Sequence, residues 1–298
     1  NIKSEINKYL SLQRERGSLQ KLFKPDSNDK NALHCFYDLA VSPCSYDFFT
    51  YLYSAEICRV RRNLKEIKLF IVHGPNNNFK NDHRSLPRQK TFFHNVIIPG
   101  ISLLPSISSF RWVAREDINI EISAEILFPR GYSIAKPTSE YRAHELVAAQ
   151  LRGDQRNFFR APEYATKLVE NLMNQKISGS SFITLTTREL TRGDAKGLRE
   201  IKVDIWQEVF KKLEASNITP IVIRDTASAY SAPLFKNVIE LPEVSIHLPL
   251  RMALYEKAIL NFSKNNGPAC LHFYGNTNAV VFNHVDNDFR PLSEKWFA

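Results

Sequence analysis

The first half of the chain alternates between apolar runs and segments with helical spacing. Residues 32–41 (ALHCFYDLAV) and 66–75 (EIKLFIVHGP) are apolar through their centres and end in turn residues, which predicts two buried strands. Residues 46–62 between them carry apolar side chains three and four positions apart, which predicts a helix. Because parallel strands need a long crossover, this order predicts a βαβ unit.

The second half of the chain repeats the alternation. Its predicted elements are strands over 181–189, 218–226 and 244–249, helices over 199–215 and 250–264, and two short apolar runs, 269–275 (ACLHFYG) and 279–285 (AVVFNHV). We therefore predict an α/β protein with two Rossmann-like halves that face each other.

The middle of the chain is less regular, and it sets the predicted domain boundaries. Residues 76–90 predict a polar loop, 122–137 predict a further strand with its turn, and 139–151 and 162–175 predict two helices around a basic crossing. We predict a polar leader over 1–30, an N-terminal Rossmann-like domain over 31–160 and a C-terminal Rossmann-like domain over 161–298.

The charge of the chain indicates an anionic partner. The 298 residues have a formal net charge of +9, which is expected of proteins that bind nucleic acid, a membrane surface or a phosphorylated small molecule. No RNP-like or zinc-finger pattern accompanies the charge, so a phosphate-bearing ligand is favoured. Solvated surface charge with no special partner is the alternative, and nucleic acid is the weakest prediction.

Cysteine spacing and hydropathy bear on localisation. The four cysteines lack CxxC spacing, which is typical of reduced thiols in a cytosolic protein. The leader is too polar for a signal peptide, and no apolar stretch approaches the roughly 18 residues that span a membrane. We expect a cytoplasmic protein and leave open a peripheral contact with the inner face of the membrane.

Ligands in open α/β sheets bind beyond the carboxyl ends of the strands, so the loops there hold the candidate site residues. Arg188, Glu189 and Arg192 follow the strand that starts at 181. Two arginines in one loop match the oxygens of a diphosphate, and a solvated loop with local ion pairs is the alternative. Asp225 follows the next strand, where it accepts hydrogen bonds from a ribose or sugar hydroxyl or caps a turn.

The stretch Asn265, Asn266, Gly267 and Pro268 ends the helix predicted over 250–264. Gly267 permits a positive φ and a close backbone approach, and Pro268 prevents the helix from continuing. A helix C-cap needs only one Gly or Asn. The stretch is therefore also predicted to contact a nucleotide.

The end of the first strand and the start of the next helix hold Asp38, Ser42, Tyr46 and Asp47. A general base must lie within hydrogen-bond reach of the hydroxyl that it activates, and Asp38 or Asp47 is the candidate. Ser42 and Tyr46 are candidate substrate contacts. The alternative for Asp47 is an acidic residue in the first helical turn, with Ser45 as the N-cap.

Together these segments resemble a known family. The stretches ITLTTRELTRGDAK, TPIVIRDT and LRMALYEKAILNFSKNNGPACLHF resemble the donor-binding half of GT-B glycosyltransferases. The chain is similar to glycosyltransferase-like proteins of bacterial surface-polysaccharide gene clusters, which pair an early YDLAVSP and YDF with a late NNGP. The resemblance covers residues 33–75 and 181–273.

The resemblance implies a GT-B-like fold with a central cleft, the donor on the C-terminal half and the acceptor on the N-terminal half. It implies metal-independent transfer of a sugar from a nucleotide-sugar to a glycan or lipid-linked acceptor in surface-polysaccharide biosynthesis, with no cofactor. By position, the implied roles are phosphate binding by Arg188 and Arg192, nucleotide contact by Asn266 and Gly267, and general base for Asp38 or Asp47.

Two alternatives stay open: a sugar-nucleotide epimerase of the same architecture, and a non-catalytic α/β protein that binds an anion or nucleic acid. GxGxxG, Walker and GxSxG signatures are missing from the sequence. Asp286-Asn287-Asp288 matches the DxD triplet that holds a divalent cation in many glycosyltransferases. It lies among turn-forming residues, however, so we interpret it as a turn and predict no metal site.

Overall fold

The computed structural model describes residues 31–118, 122–139, 148–149, 151–154, 157–177, 181–189, 202–264 and 266–282. These residues form two compact units, each discontinuous in sequence. Unit 1 takes its described residues from Asn1–Pro43, Ser54–Leu86 and Ser106–Glu140. Unit 2 takes its described residues from Cys44–Tyr53, Pro87–Pro105 and Tyr141–Ala298.

Unit 1 contains a four-stranded parallel sheet. Its strands are β1 (Ala32–Asp38), β2 (Glu66–Val72), β3 (Ile107–Val113) and β4 (Leu127–Phe128), in the order β3-β2-β1-β4. All seven residues of β1 are buried, as expected of a strand with a neighbour on each side. The rings of Phe70 and Tyr132 stack on Phe36 with centroids 4.9 Å away and form the centre of this core.

The predicted βαβ unit is confirmed. Its strands are β1 and β2, and the helix between them is α1 (Asp47–Arg61), which contributes residues to both units. The sequence did not predict β3, because Ser108–Trp112 are exposed and leave no apolar run. Residues 86–101, in part predicted as loop, form α2 (Leu86–Phe92), a π-helical turn (Phe93–Ile97) and α3 (Ile98–Ile101).

Unit 2 contains a five-stranded parallel sheet in the order β7-β6-β5-β8-β9. Its strands are β5 (Ser181–Thr186), β6 (Ile218–Ile223), β7 (Ile239–Glu240), β8 (Leu260–Lys264) and β9 (Ala279–Phe282). Its helices are α4 (Glu163–Ile177), α5 (Val203–Ala215), α6 (Pro242–Ile246), α7 (Leu248–Lys257) and α8 (Cys270–Tyr274). The predicted α/β class with two Rossmann-like sheets is confirmed.

Two predictions in this half are wrong. Residues 244–249, predicted as a strand, lie in α6 and at the start of α7, where Pro242 and Pro249 occupy first-turn positions that tolerate proline. The helix predicted over 250–264 ends at Lys257, because Ala258 is extended with φ −67° and ψ 138°. The run 269–275 is largely helical as α8. No described helix is both long enough and apolar enough to cross a bilayer.

Candidate functional site

The strand order reverses beside β1 in unit 1 and beside β5 in unit 2, and ligands of open parallel sheets bind at the carboxyl ends of such strands. The predicted site residues lie at or after those ends: Asp38 is the last residue of β1, and the others are Ser42 after β1, Arg188 and Glu189 after β5, Asp225 after β6, and Asn266, Gly267 and Pro268 after β8. Arg192, Asn265 and the triplet Asp286–Asp288 lie outside the described residues.

Glu189 and Asp225 join the loops after β5 and β6. The backbone N–H of Glu189 donates to Oδ2 of Asp225 over 2.7 Å. Nε and Nη2 of Arg224 donate to the two carboxylate oxygens of Glu189 over 2.9 and 2.5 Å. The Arg224 side chain is only 5% exposed, so the arginine of this pair is shielded from water, while the Glu189 side chain is 26% exposed. Glu189 therefore fixes the loop that carries Arg188.

The two carboxyl groups of this edge respond differently to their surroundings. Burial raises the pKa of Asp225, and the charges of Arg251 and Arg188 oppose that rise only in part. Burial acts on Glu189 in the same direction, but hydrogen bonds from Arg224 and Ser228 outweigh it and lower the pKa of Glu189. Glu189 is held as the anion, whereas Asp225 gains a proton more readily.

Arg251 is a buried cation beside this edge, and it is not among the residues predicted from the sequence. Its Nη2 donates to the carbonyl of Ser245 over 2.6 Å, and its Nε donates to the carbonyl of Val244 over 3.3 Å. Its positive charge lowers the pKa values of Asp225 and Tyr46 against the effect of their burial. Nothing in the sequence separates Arg251 from the arginines of exposed helix faces.

Tyr46 and Gly267, which are far apart in sequence, are in contact. A β-carbon on Gly267 would lie 2.3 Å from Cδ2 of Tyr46, so the ring occupies the space that any side chain would need. The backbone of Gly267 is not in the left-handed region. Close approach, and not a positive φ, is therefore the reason for glycine here.

Asn266 caps a helix start. Its Oδ1 accepts a hydrogen bond from the N–H of Ala269 over 3.1 Å and begins the 3₁₀ turn Gly267–Ala269 that leads into α8. The predicted C-cap is therefore wrong, and the stretch follows a strand instead of a helix. Nδ2 of Asn266 is buried and has no hydrogen-bond partner among the described residues. It is a donor that a ligand could satisfy.

Polar side chains also line the sheet between β5, β8 and α7. Thr186 and Tyr255 share a hydrogen bond of 2.6 Å, and Thr184 donates to Oδ1 of Asn261 over 2.6 Å. Ser263 Oγ is buried without a partner in the described part of the chain. The alternation of Asn261 and Ser263 with apolar residues was a usable strand signal, but the i, i+4 spacing of Ala258 and Phe262 outweighed it in the prediction.

In unit 1, Asp38 is fully buried at the end of β1. It accepts hydrogen bonds from the guanidinium of Arg115, from the hydroxyl of Tyr132 over 2.7 Å and from the N–H of Ala40 over 2.9 Å. Burial, reinforced by the hydrogen bond to Asp38, raises the pKa of Tyr132, so Tyr132 stays a donor. These three donors fix the position of the Asp38 side chain inside the protein.

The other two residues predicted on this segment have different surroundings. Ser42 is 1% exposed, and its Oγ has no partner among the residues that the structure describes. Asp47 is exposed in the first turn of α1, where its Oδ2 accepts a hydrogen bond from Ser45 over 2.7 Å. Ser45 Oγ in turn accepts from the N–H of Asp47 over 3.3 Å, as in the N-cap alternative. The catalytic roles of Asp38 and Asp47 stay predictions.

His73 stands at the carboxyl end of β2, the neighbour of β1. Its backbone N–H donates to the carbonyl of Val113, which continues the hydrogen bonding between β2 and β3. Its ring is half-buried and meets the ring of Trp112 edge-on, with the centroids 4.9 Å apart. No hydrogen bond to its ring nitrogens is found among the described residues.

Within the described ranges, no group of three His, Cys, Asp or Glu side chains is arranged to hold a metal ion.

No protein-family model matches this chain, and no curated protein matches its sequence. Among solved structures, the chain is similar to a glycosyl transferase family 9 protein from Veillonella parvula DSM 2008, at 10% identity over 86% of each chain and a TM-score of 0.49. It is also similar to the wall teichoic acid polymerase TagF, at 12% identity over 87% of this chain and 73% of that chain, with a TM-score of 0.24. At these values the likenesses establish no activity, and the function rests on the site.

Proposed function

We propose that the protein is a glycosyltransferase that transfers a sugar from a nucleotide-sugar donor to a glycan or lipid-linked acceptor, without a bound metal ion. The sequence resemblance supports surface-polysaccharide biosynthesis in the cytoplasm, at or near the membrane, as its setting. The donor binds unit 2, and the acceptor binds unit 1.

The observation that carries the proposal is the carboxyl edge of β5, β6 and β8. This edge lies at the reversal of a Rossmann-ordered sheet, where nucleotides bind in such folds. It combines a cation, a carboxyl group and an unpartnered amide donor on Arg188, Asp225 and Asn266. A nucleoside diphosphate needs these three kinds of group, because it carries anionic phosphates, ribose hydroxyls and a polar base.

We propose roles for the residues of this edge on the basis of the sequence resemblance. Arg188 binds the donor phosphates together with Arg192, and Asp225 accepts a hydrogen bond from a ribose or sugar hydroxyl. Asn266 donates from Nδ2 to the nucleotide, which approaches the backbone at Gly267. Positive charge on this edge stabilises the diphosphate as it leaves.

Thermal-shift measurements against nucleoside monophosphates, nucleoside diphosphates and their sugars test the proposal. At a ligand concentration 100 times Kd, binding stabilises the folded protein by about 2.7 kcal/mol, which raises Tm by roughly 5 °C at this chain length. We expect one nucleotide family to give such a shift. The absence of any nucleotide shift, together with salt-sensitive binding to DNA or RNA, would contradict the proposal.

Arg188→Ala is the matched variant test. Loss of a phosphate contact should weaken nucleotide binding about 10- to 100-fold by calorimetry, since a charged hydrogen bond contributes about 1.5–3 kcal/mol. Arg152→Ala is the control, because Arg152 is an exposed arginine of the same unit that pairs with Asp154. Equal nucleotide affinity in wild type and Arg188→Ala would refute the phosphate assignment.

A further inference from the structure

The proposed transfer needs a base for the acceptor hydroxyl, and the structure leaves Asp38 poorly placed for that task. Its carboxylate is fully buried, and Arg115, Tyr132 and the N–H of Ala40 already donate to it. An acceptor hydroxyl would have to displace one of these donors to reach it. Asp47, the other candidate, belongs to unit 2. A base on the unit proposed to bind the acceptor is therefore sought among the accessible groups of unit 1 at the same sheet edge.

His73 meets this requirement by position. It follows β2, whose register pairs Asp38 with Val72, so His73 stands one residue beyond the strand that neighbours the end of β1. Its ring is half-buried, and no described residue hydrogen-bonds its nitrogens. Trp112, 38% exposed, forms a wall against which the apolar face of a sugar ring can pack.

We propose that His73 is the general base of the transfer reaction and that Trp112 contacts the acceptor sugar beside it. This inference rests on the proposed function. In the step, the proton of the acceptor hydroxyl moves to a ring nitrogen of His73, and the acceptor oxygen forms a bond to the anomeric carbon. The bond from that carbon to the donor phosphate breaks, and its electron pair stays on the leaving diphosphate. The imidazolium then returns its proton to water.

The charges that face His73 are compatible with this role. Burial lowers the pKa of His73, while the nearby carboxylates Glu116 and Asp117 act in the opposite direction. Arg115 donates to the carbonyl of His73 over 3.4 Å, and its charge is paired with Asp38. The ring is therefore neutral at pH 7 and able to accept a proton, and the two carboxylates stabilise the imidazolium that forms.

His73→Gln tests the proposal, with His83→Gln as the control because His83 is an exposed histidine of the same unit. Calorimetry with the nucleoside diphosphate found by thermal shift should give the same Kd within about twofold for both variants, since the donor binds unit 2. Turnover should fall about 100- to 10,000-fold in His73→Gln only, the usual contribution of a general base.

The pH profile gives a second readout. Wild-type turnover should decline at acidic pH as a single histidine is protonated, and carbon-detected NMR of labelled histidines should give His73 a pKa below the ordinary histidine value. Glu116→Gln combined with Asp117→Asn should move this limb to still lower pH, because both carboxylates raise the pKa of His73.

The outcomes are distinguishable. If wild type binds no nucleotide, the proposed function fails and the base role fails with it. If wild type binds and turns over, but His73→Gln keeps more than a tenth of the activity or the same acidic limb, only the base role is refuted.

Discussion

Gly267→Ala tests whether the contact with Tyr46 is as tight as the structure shows. The new β-carbon would lie 2.3 Å from Cδ2, 2.8 Å from Cγ and 2.9 Å from Cε2 of Tyr46, all well inside van der Waals distance. The ring cannot move freely, because Phe49 and Phe92 pack against it at 5.9 and 6.3 Å. Overpacking of this kind costs about 1–3 kcal/mol.

The assay is thermal unfolding of four proteins: wild type, Gly267→Ala, Tyr46→Ala and the double variant. At this chain length the cost of Gly267→Ala corresponds to a Tm lower by about 2–6 °C. In the Tyr46→Ala background the ring is absent, so the glycine substitution should become nearly neutral. The double-mutant cycle should therefore show a coupling of about 1–3 kcal/mol.

Gly131→Ala is the matched control. Gly131 has φ +73° and no atom within 4 Å of a new β-carbon, so its substitution costs backbone strain alone. That cost should be the same with and without Tyr46. If Gly267→Ala unfolds within 0.5 °C of wild type, or if its cost persists in Tyr46→Ala, the steric reasoning is refuted.

Three further substitutions test titratable groups of the two units. Glu189→Gln should lower the free energy of unfolding by about 2 kcal/mol at pH 7, because it breaks the pair with Arg224. Since the folded pKa of Glu189 is lowered, this difference from wild type should shrink in urea titrations as the pH falls below about 4.3. Burial lowers the pKa of His272 to about 4, so between pH 6.5 and 4 the unfolded state binds a proton that the folded state does not. The free energy of unfolding of wild type should therefore fall by up to roughly 3 kcal/mol over this pH range. His272→Gln should flatten this dependence, and an unchanged slope would contradict the assignment. Asp38→Asn should cost about 3 kcal/mol in urea denaturation, because it leaves Arg115 without its counter-charge; a loss below 1 kcal/mol would show that Asp38 does not hold this network.

The elements that were predicted correctly have the strongest local signals. The strand at 32–41 and the helix at 46–62 each show one clear period, and the structure contains β1 and α1 there. The region 244–264 was misassigned because its periods conflict: Leu250, Leu254, Ala258 and Phe262 continue a helical row across the break between α7 and β8. The exposed strand β3 has no continuous apolar run, because Ser108, Ser109 and Arg111 interrupt its apolar residues.

The candidate site also has residues that the sequence could select and contacts that it could not predict. The rule that ligands meet the carboxyl ends of strands was enough to select Arg188, Glu189 and Asp225 from the sequence. The hydrogen bond that joins Glu189 to Asp225 links residues 36 positions apart, and the pairing of Glu189 with Arg224 links residues 35 apart. Neither partner can be predicted from a local sequence pattern, because such a pattern indicates only which residues of one helix or strand face solvent.

By itself the sequence determined the α/β class and the alternation of parallel strands with helices, because burial on one or both faces imposes a period on each segment. Only the tertiary structure decided that Tyr46 packs on Gly267, that Asn266 begins a helix instead of ending one, and that Arg251 is buried. The reason is physical: packing distance, capping partner and solvent exposure each depend on residues that are distant in the chain and adjacent in the fold.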